Sequence, residues 1–245
     1  MRSRSTDAFI LGTHALKEKD RIVSFLTRDA GKKRGVAHGA RSPRSRFTGV
    51  LEPMTEARVV YFEKEGRDLV SLDEVEAVRP SFALSGELGR ALVLSSFAES
   101  LEVFVSDSDP AEPFYRLARH AMDSLVAGGS PAAVAGYFDL WVLKLSGLFP
   151  SASECAGCGR ALGRDEVLFF DETRPGFLGS ECKRSGALRL SPEARDSLRR
   201  FLTGPLDAKN DPPGLTEIAE VARRARRHFL GHELKSQRVI GKVLG

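Results

Sequence analysis

Residues 57–78 decide the fold: Ala57-Arg-Val-Val-Tyr-Phe62, then Glu65-Gly-Arg-Asp68, then Leu69-Val-Ser-Leu-Asp-Glu-Val-Glu-Ala-Val78. Two runs rich in β-branched and aromatic residues flank a segment with turn chemistry, so they read as strands separated by a turn. Working outward, Val36 and Ala37, Ile22 to Leu26, and Phe9 to Leu11 repeat the pattern, with a second turn at Asp29-Ala-Gly-Lys32. Five short strands in the first eighty or so residues predict a small barrel. The OB-fold is its five-stranded Greek-key case, and an SH3-like barrel is the nearest competitor on pattern alone.

From Pro80 the period changes. Leu94, Phe97, Ala98, Leu101 and Val105 recur at spacings of three and four, as do Phe114, Leu117, Ala121 and Leu125. Both stretches predict amphipathic helices. A third helix starts at Ser130-Pro131 and is apolar on nearly every side from Val134 to Leu145, which marks it as the central helix of a bundle; Gly147 and Pro150 end it. Residues 151–190 hold the cysteines and one strand-like segment, Val167 to Phe170, and read as a small ribbon inserted between helices. Two further helices are expected, one opening at Ser191-Pro192 and one over Leu215 to Leu230. The predicted class is therefore α+β and multidomain: a barrel over 1–79, helical parts over 80–150 and 191–245, and a zinc-ribbon-like insertion over 151–190.

The net charge of +4 on 245 residues is only mildly basic, but it is unevenly spread. Residues 1–79 carry sixteen Lys/Arg against twelve Asp/Glu, residues 80–150 four against eight, and residues 151–245 seventeen against thirteen. Two basic ends around an acidic middle suggest that an anionic partner touches the ends. Nothing at the start reads as a secretory signal and no stretch is long enough to span a bilayer, so a cytoplasmic protein without membrane contact is expected.

Four features carry chemistry. The segment Lys32-Lys33-Arg34 through Arg41, Arg44 and Arg46 holds six cations in fifteen residues with no acid among them, while Gly35, Gly39, Ser42 and Pro43 lie between. Composition alone fits either a solvated loop or a phosphate-binding one, and a barrel around it favours nucleic acid. Phe47 is the aromatic expected to be exposed there for base stacking. The second feature, Arg223, Arg224, Arg226, Arg227 and His228, fits an ordinary solvated helix face. His228 and His232 stand four apart, but the arginines around them repel a metal ion.

Cys155-Ala-Gly-Cys158 has the knuckle geometry that wraps zinc, and Cys182 supplies a third thiol. Gly179 stands where the spacing calls for a fourth. Zinc is therefore expected to be weakly held, completed by water or by a carboxylate such as Glu181 or Asp171, with Gly179→Cys raising its occupancy. The sequence has no Walker loop, GxGxxG, GxSxG or HExxH signature, so catalysis is not expected.

Taken in order, Ile10-Leu-Gly-Thr13, Lys17-Glu-Lys-Asp20, Thr27-Arg-Asp-Ala-Gly-Lys32, His38-Gly-Ala-Arg41, Leu51-Glu-Pro53, the run from Phe138 to Pro150 leading into Cys155-Ala-Gly-Cys158-Gly159, and His232-Glu-Leu-Lys-Ser-Gln-Arg238 resemble the RecO family over essentially the whole chain. That resemblance implies a DNA repair and recombination mediator of the RecF pathway that binds single- and double-stranded DNA and anneals complementary strands. It also implies a nucleoid-associated protein that engages RecR and the acidic tail of single-strand-binding protein and helps load RecA. Arg116 and Arg119, rare cations in the acidic middle, are the expected contacts for that tail. An OB-fold RNA-binding or ribosome-associated protein is the alternative. The departure at Gly179 bears on zinc, not on the fold.

Overall fold

A computed structural model describes residues 2–84, 86–107, 109–163 and 165–243. Five strands close into a barrel: β1 (Arg2–Leu16), β2 (Asp20–Thr27), β3 (Lys32–Ala37), β4 (Glu56–Glu63) and β5 (Leu69–Arg79), in the order β1-β2-β3-β5-β4. β3 and β5 pair in parallel and every other neighbour is antiparallel. This is the OB-type Greek-key closure that the strand count predicted.

β1 is fifteen residues long, far beyond the Phe9–Leu11 run that its apolar residues mark. Its first half pairs with β4, from Arg2 opposite Glu63 to Phe9 opposite Glu56, and its second half pairs with β2. A register shift between Ile10 and Gly12 lets one strand bend and serve both neighbours. Inside lie Ala8, Ile10, Val23, Phe25, Val59, Tyr61 and Leu72, all buried. The Phe25 and Tyr61 rings meet edge to face at 5.7 Å. The β2–β3 turn depends on Gly31, which has φ +69°, and a Cβ there would fall 1.9 Å from the Asp109 carbonyl oxygen.

The chain divides into two compact units, residues 1–120 with 239–245 and residues 121–238. In the first, helix α1 (Leu88–Phe104) buries Val93, Leu94, Phe97 and Leu101. Ser24 donates to the Glu102 carboxylate at 3.1 Å. Helix α2 (Glu112–Val126) starts in this unit, where Tyr115 stacks on Phe9 at 5.1 Å and donates to buried Glu56 at 3.0 Å. Burial and that carboxylate together raise the Tyr115 pKa.

The second unit is built round α3 (Pro131–Leu145), capped by Ser130 and buried along most of its length, as its all-round apolar sequence predicts. Helices α4 (Pro192–Thr203) and α5 (Leu215–Leu230) pack on it. Trp141 Nε1 and Lys144 Nζ each donate at 2.8 Å to carbonyls of the last turn of α4, those of Phe201 and Leu202. Arg226 on α5 pairs with Asp139 on α3 at 2.8 Å, the arginine only 3% exposed. Residues 151–190 hold three strands where one was expected: β6 (Leu168–Asp171), β7 (Gly176–Leu178) and β8 (Leu188–Leu190), in the order β7-β6-β8. Helix α6 (Lys235–Val243) was not foreseen either. Among the described residues no helix is long and apolar enough to cross a membrane.

Candidate nucleic-acid interface

The basic segment splits in two. Lys32 is buried; its Nζ donates to the Glu102 carbonyl and lies 3.3 Å from Asp107. Arg34 reaches the same Asp107 at 3.0 Å, and Lys33 pairs with Glu63 at 3.3 Å. These three cations are neutralised by acids thirty or more residues away, so a segment that lacks acids of its own is not uncompensated in space. Residues 38–55 form a run of turns between β3 and β4, and two of its three Lys/Arg side chains make no ion pair among the described residues. Arg41 is exposed, and among the described residues its guanidinium donates only to the Lys17 carbonyl, at 2.8 Å. Arg44 is exposed with no ion pair among the described residues. Arg46 sits 3.7 Å from Asp73 and 5.0 Å over the Phe47 ring.

Phe47 itself corrects the reading of an exposed aromatic. It is 2% exposed and packs into the barrel core with Leu51 and Val75. Its ring anchors the loop from within, with the Arg46 guanidinium over its face.

Beside this loop a groove of about 590 Å³ opens on the barrel. Leu16, Lys17 and Asp20 of the β1–β2 hairpin line one side, and Val36 and His38 at the end of β3 form the floor. Phe62, Lys64, Arg67, Asp68 and Leu69 of the β4–β5 hairpin line the other side. OB-folds take oligonucleotides between these same two hairpins. Lys17, Lys64 and Arg67 are exposed and have no ion pair among the described residues. Phe62 is half-buried and is the aromatic that lines the groove.

Asp20 joins groove and loop. Its carboxylate accepts the Gly39 N–H at 2.9 Å and lies 3.1 Å from His38 Nδ1, and these two partners, the amide first, hold its pKa below 3.8. With the Arg41 N–H donating to the Lys19 carbonyl at 2.9 Å, the staple fixes Arg41 beside the β1–β2 hairpin. The hairpin cations were missed in the sequence because each stands beside acids in Lys17-Glu-Lys-Asp20 and Lys64-Glu-Gly-Arg-Asp68. The usable signal was their place at hairpin tips of a predicted OB barrel.

The C-terminal arginines are not a solvated face. Arg223 pairs with Glu220 at 2.6 Å and with Glu233, Arg224 pairs with Glu220 at 2.7 Å, Arg227 pairs with Glu172, and Arg226 is the buried partner of Asp139. His228 lies edge-on to Phe229, and His232 Nδ1 lies 3.1 Å from the Glu233 carbonyl, so the two histidines do not converge. On α2, Arg116 and Arg119 are exposed and each stands 3.7 Å from an acid, Glu112 and Glu56 respectively.

Cys155, Cys158 and Cys182 converge, their sulfurs all within 4.8 Å of one another, which is close enough to share a metal ion. The Gly179 N–H leads the backbone donors that pull the Cys155 pKa down to about 6, while Cys182, facing the other two thiols, is pushed up to about 11. Among the described residues no carboxylate joins them. Asp171, expected as a fourth donor, instead accepts from Thr173 at 2.7 Å and pairs with Arg184 at 2.8 Å, and Glu181 stands outside the cluster.

Comparison with known proteins follows the two halves of this architecture. Residues 1–81 match the family described as recombination protein O, N terminal, and residues 85–238 match recombination protein O, C terminal. A DNA repair protein RecO from Anaeromyxobacter sp. (strain K) is 36% identical over 238 residues, 93% of each chain. One from Koribacter versatilis is 32% identical over 204 residues, 83% of this chain and 82% of that one, and one from a Nocardioides species is 30% identical over 92% and 93%.

Proposed function

The chain belongs to the RecO family, and from that premise we propose that it is a DNA repair and recombination protein whose barrel carries DNA in the groove between the β1–β2 and β4–β5 hairpins. One observation carries the reading: Lys17, Lys64 and Arg67 line one concave surface with Phe62, Arg41 is held beside it through the Lys17 carbonyl, and these three and the loop cations Arg41 and Arg44 all lack ion-pair partners among the described residues. Such an array suits a strand whose phosphates meet the cations while a base rests on the aromatic ring. Lys33, Arg34 and Arg46, already beside acids, contribute less.

In this reading the protein works by binding, not by catalysis. Residues 1–79 bind single- and double-stranded DNA and bring complementary strands together. The helical parts, 80–150 and 191–245, with the ribbon 151–190 between them, serve protein partners. Those partners are RecR and the acidic tail of single-strand-binding protein, with Arg116 and Arg119 facing the tail, and the outcome is RecA loading in the cytoplasm at the nucleoid. Zinc in the three-cysteine cluster is not required for any of these steps.

Binding of labelled single-stranded DNA, competed with RNA of the same sequence, tests the proposal. Strong salt dependence with DNA at least as effective a competitor as RNA supports it. Clear preference for RNA, read through the 2′-hydroxyl, indicates an RNA-binding OB protein instead.

A further inference from the structure

A structural zinc in a ribbon cross-links two short segments that cannot hold together by apolar burial alone, and it needs four donors to close its tetrahedron. Here one segment is the Cys155 knuckle and the other runs from Leu178 to Cys182. Three thiols come from these segments, and the fourth corner belongs to Gly179. That corner is filled: a Cβ placed on Gly179 would fall 2.2 Å from Arg160 Nη2 and 2.5 Å from Glu166 Oε1.

The two side chains that fill it form a two-pronged ion pair, with Arg160 Nη1 donating to Glu166 Oε2 at 2.9 Å and Nη2 donating to Oε1. Each is tied to a different part of the ribbon. The Arg160 carbonyl accepts the Cys155 N–H at 2.8 Å, so the arginine belongs to the knuckle. Glu166 accepts the Gly163 N–H at 3.2 Å and, with Arg160, lies directly against Gly179 of the opposite segment. From α4, Arg195 donates to the carbonyls of Leu162 at 3.1 Å and Glu166 at 3.0 Å, fixing the loop that bears the glutamate. The Cys155–Leu178 stretch is further joined by the Ala156 N–H to the Phe177 carbonyl at 2.8 Å.

We infer that the Arg160–Glu166 pair replaces the fourth ligand and its metal, so that the ribbon of this chain holds its shape with no metal bound. The pair makes the cross-link a zinc ion would make, knuckle to opposite segment, and occupies the volume a fourth cysteine would need. A cysteine at 179 and the ion pair exclude one another, which alters the expectation for Gly179→Cys: the substitution must displace the pair before it can complete a site.

The test uses the full chain and hydrogen exchange of residues 153–182, with and without a strong chelator. The wild-type ribbon keeps its protection in chelator, and Glu166→Gln loses it by about tenfold or more, the scale of one charge-assisted hydrogen bond. The Arg160→Ala/Gly179→Cys double variant gains one equivalent of zinc by elemental analysis, and its ribbon becomes chelator-sensitive. Loss of wild-type protection in chelator overturns the inference, because a metal is then holding the ribbon. Unchanged protection in both Glu166→Gln and Arg160→Ala overturns it as well, because the pair is then idle.

Discussion

Replacing Arg41 and Arg44 together with alanine separates the free cations of the barrel from the neutralised ones. Both are exposed, and neither has an acid partner among the described residues, so each is available for a phosphate. Each phosphate contact on a single strand releases condensed counterions and contributes about 0.7 to the slope of log affinity against log salt. Losing two contacts should flatten that slope by about 1.4 on single strands. Over a fourfold rise in salt the wild type should therefore lose about sevenfold more affinity than the double variant. Lys32→Ala is the matched control. That lysine is buried against the Glu102 carbonyl and Asp107, so its loss should cost about 1–3 kcal/mol of stability and leave the slope unchanged. Fluorescence anisotropy of a labelled poly-dT strand across a salt series reads both. An unchanged slope in a folded Arg41/Arg44 variant, or a flattened one in Lys32→Ala, would refute the assignment of charges.

Three further outcomes are expected. Arg226→Ala strands Asp139 without its buried partner and should destabilise the protein by about 3–5 kcal/mol in denaturant unfolding, whereas Arg226→Met with Asp139→Leu should recover much of that loss. Phe47→Ala should cost about 3–5 kcal/mol of stability, as core aromatics do, while Phe62→Ala should cost about 1–3 kcal/mol of single-strand affinity with a smaller effect on unfolding. The carboxylate of Glu166 is held down to about 2 by Arg160, against 4.5 when unfolded, so its contribution is fully present above pH 4.5 and lost as pH falls towards 2; exchange protection of the ribbon amides against pH checks the direction.

The barrel was legible because its strands alternate and its turns carry Gly and Asp, two signals that agree. The first half of β1 was not, because Arg2 to Asp7 is polar and becomes a strand only through pairing with β4. β7 and β8, at three residues each, are too short for any period to register, and they exist by pairing on β6. The same limit applies to charge. Six cations without a neighbouring acid looked free, yet Glu63 and Asp107, distant in sequence, neutralise three of them. Lys17, Lys64 and Arg67 stand beside acids in the sequence, yet none of them makes an ion pair among the described residues. Proximity along the chain is a poor guide to ion pairing in a barrel, where adjacent residues point to opposite faces and partners lie across strands. The cysteine cluster was readable from spacing, but the occupant of its fourth corner was not, since Arg160 and Glu166 reach it only through the folded knuckle.

Hydrogen exchange of the full chain, free and saturated with a poly-dT strand, tests the central claim most directly, because it locates the DNA without any substitution. The account predicts protection at residues 16–20, 38–46 and 64–71, the two hairpins and the loop that Asp20 staples to the first of them. Protection confined to residues 223–238, with the hairpins unchanged, would contradict it and move the DNA from the barrel to the arginines of α5.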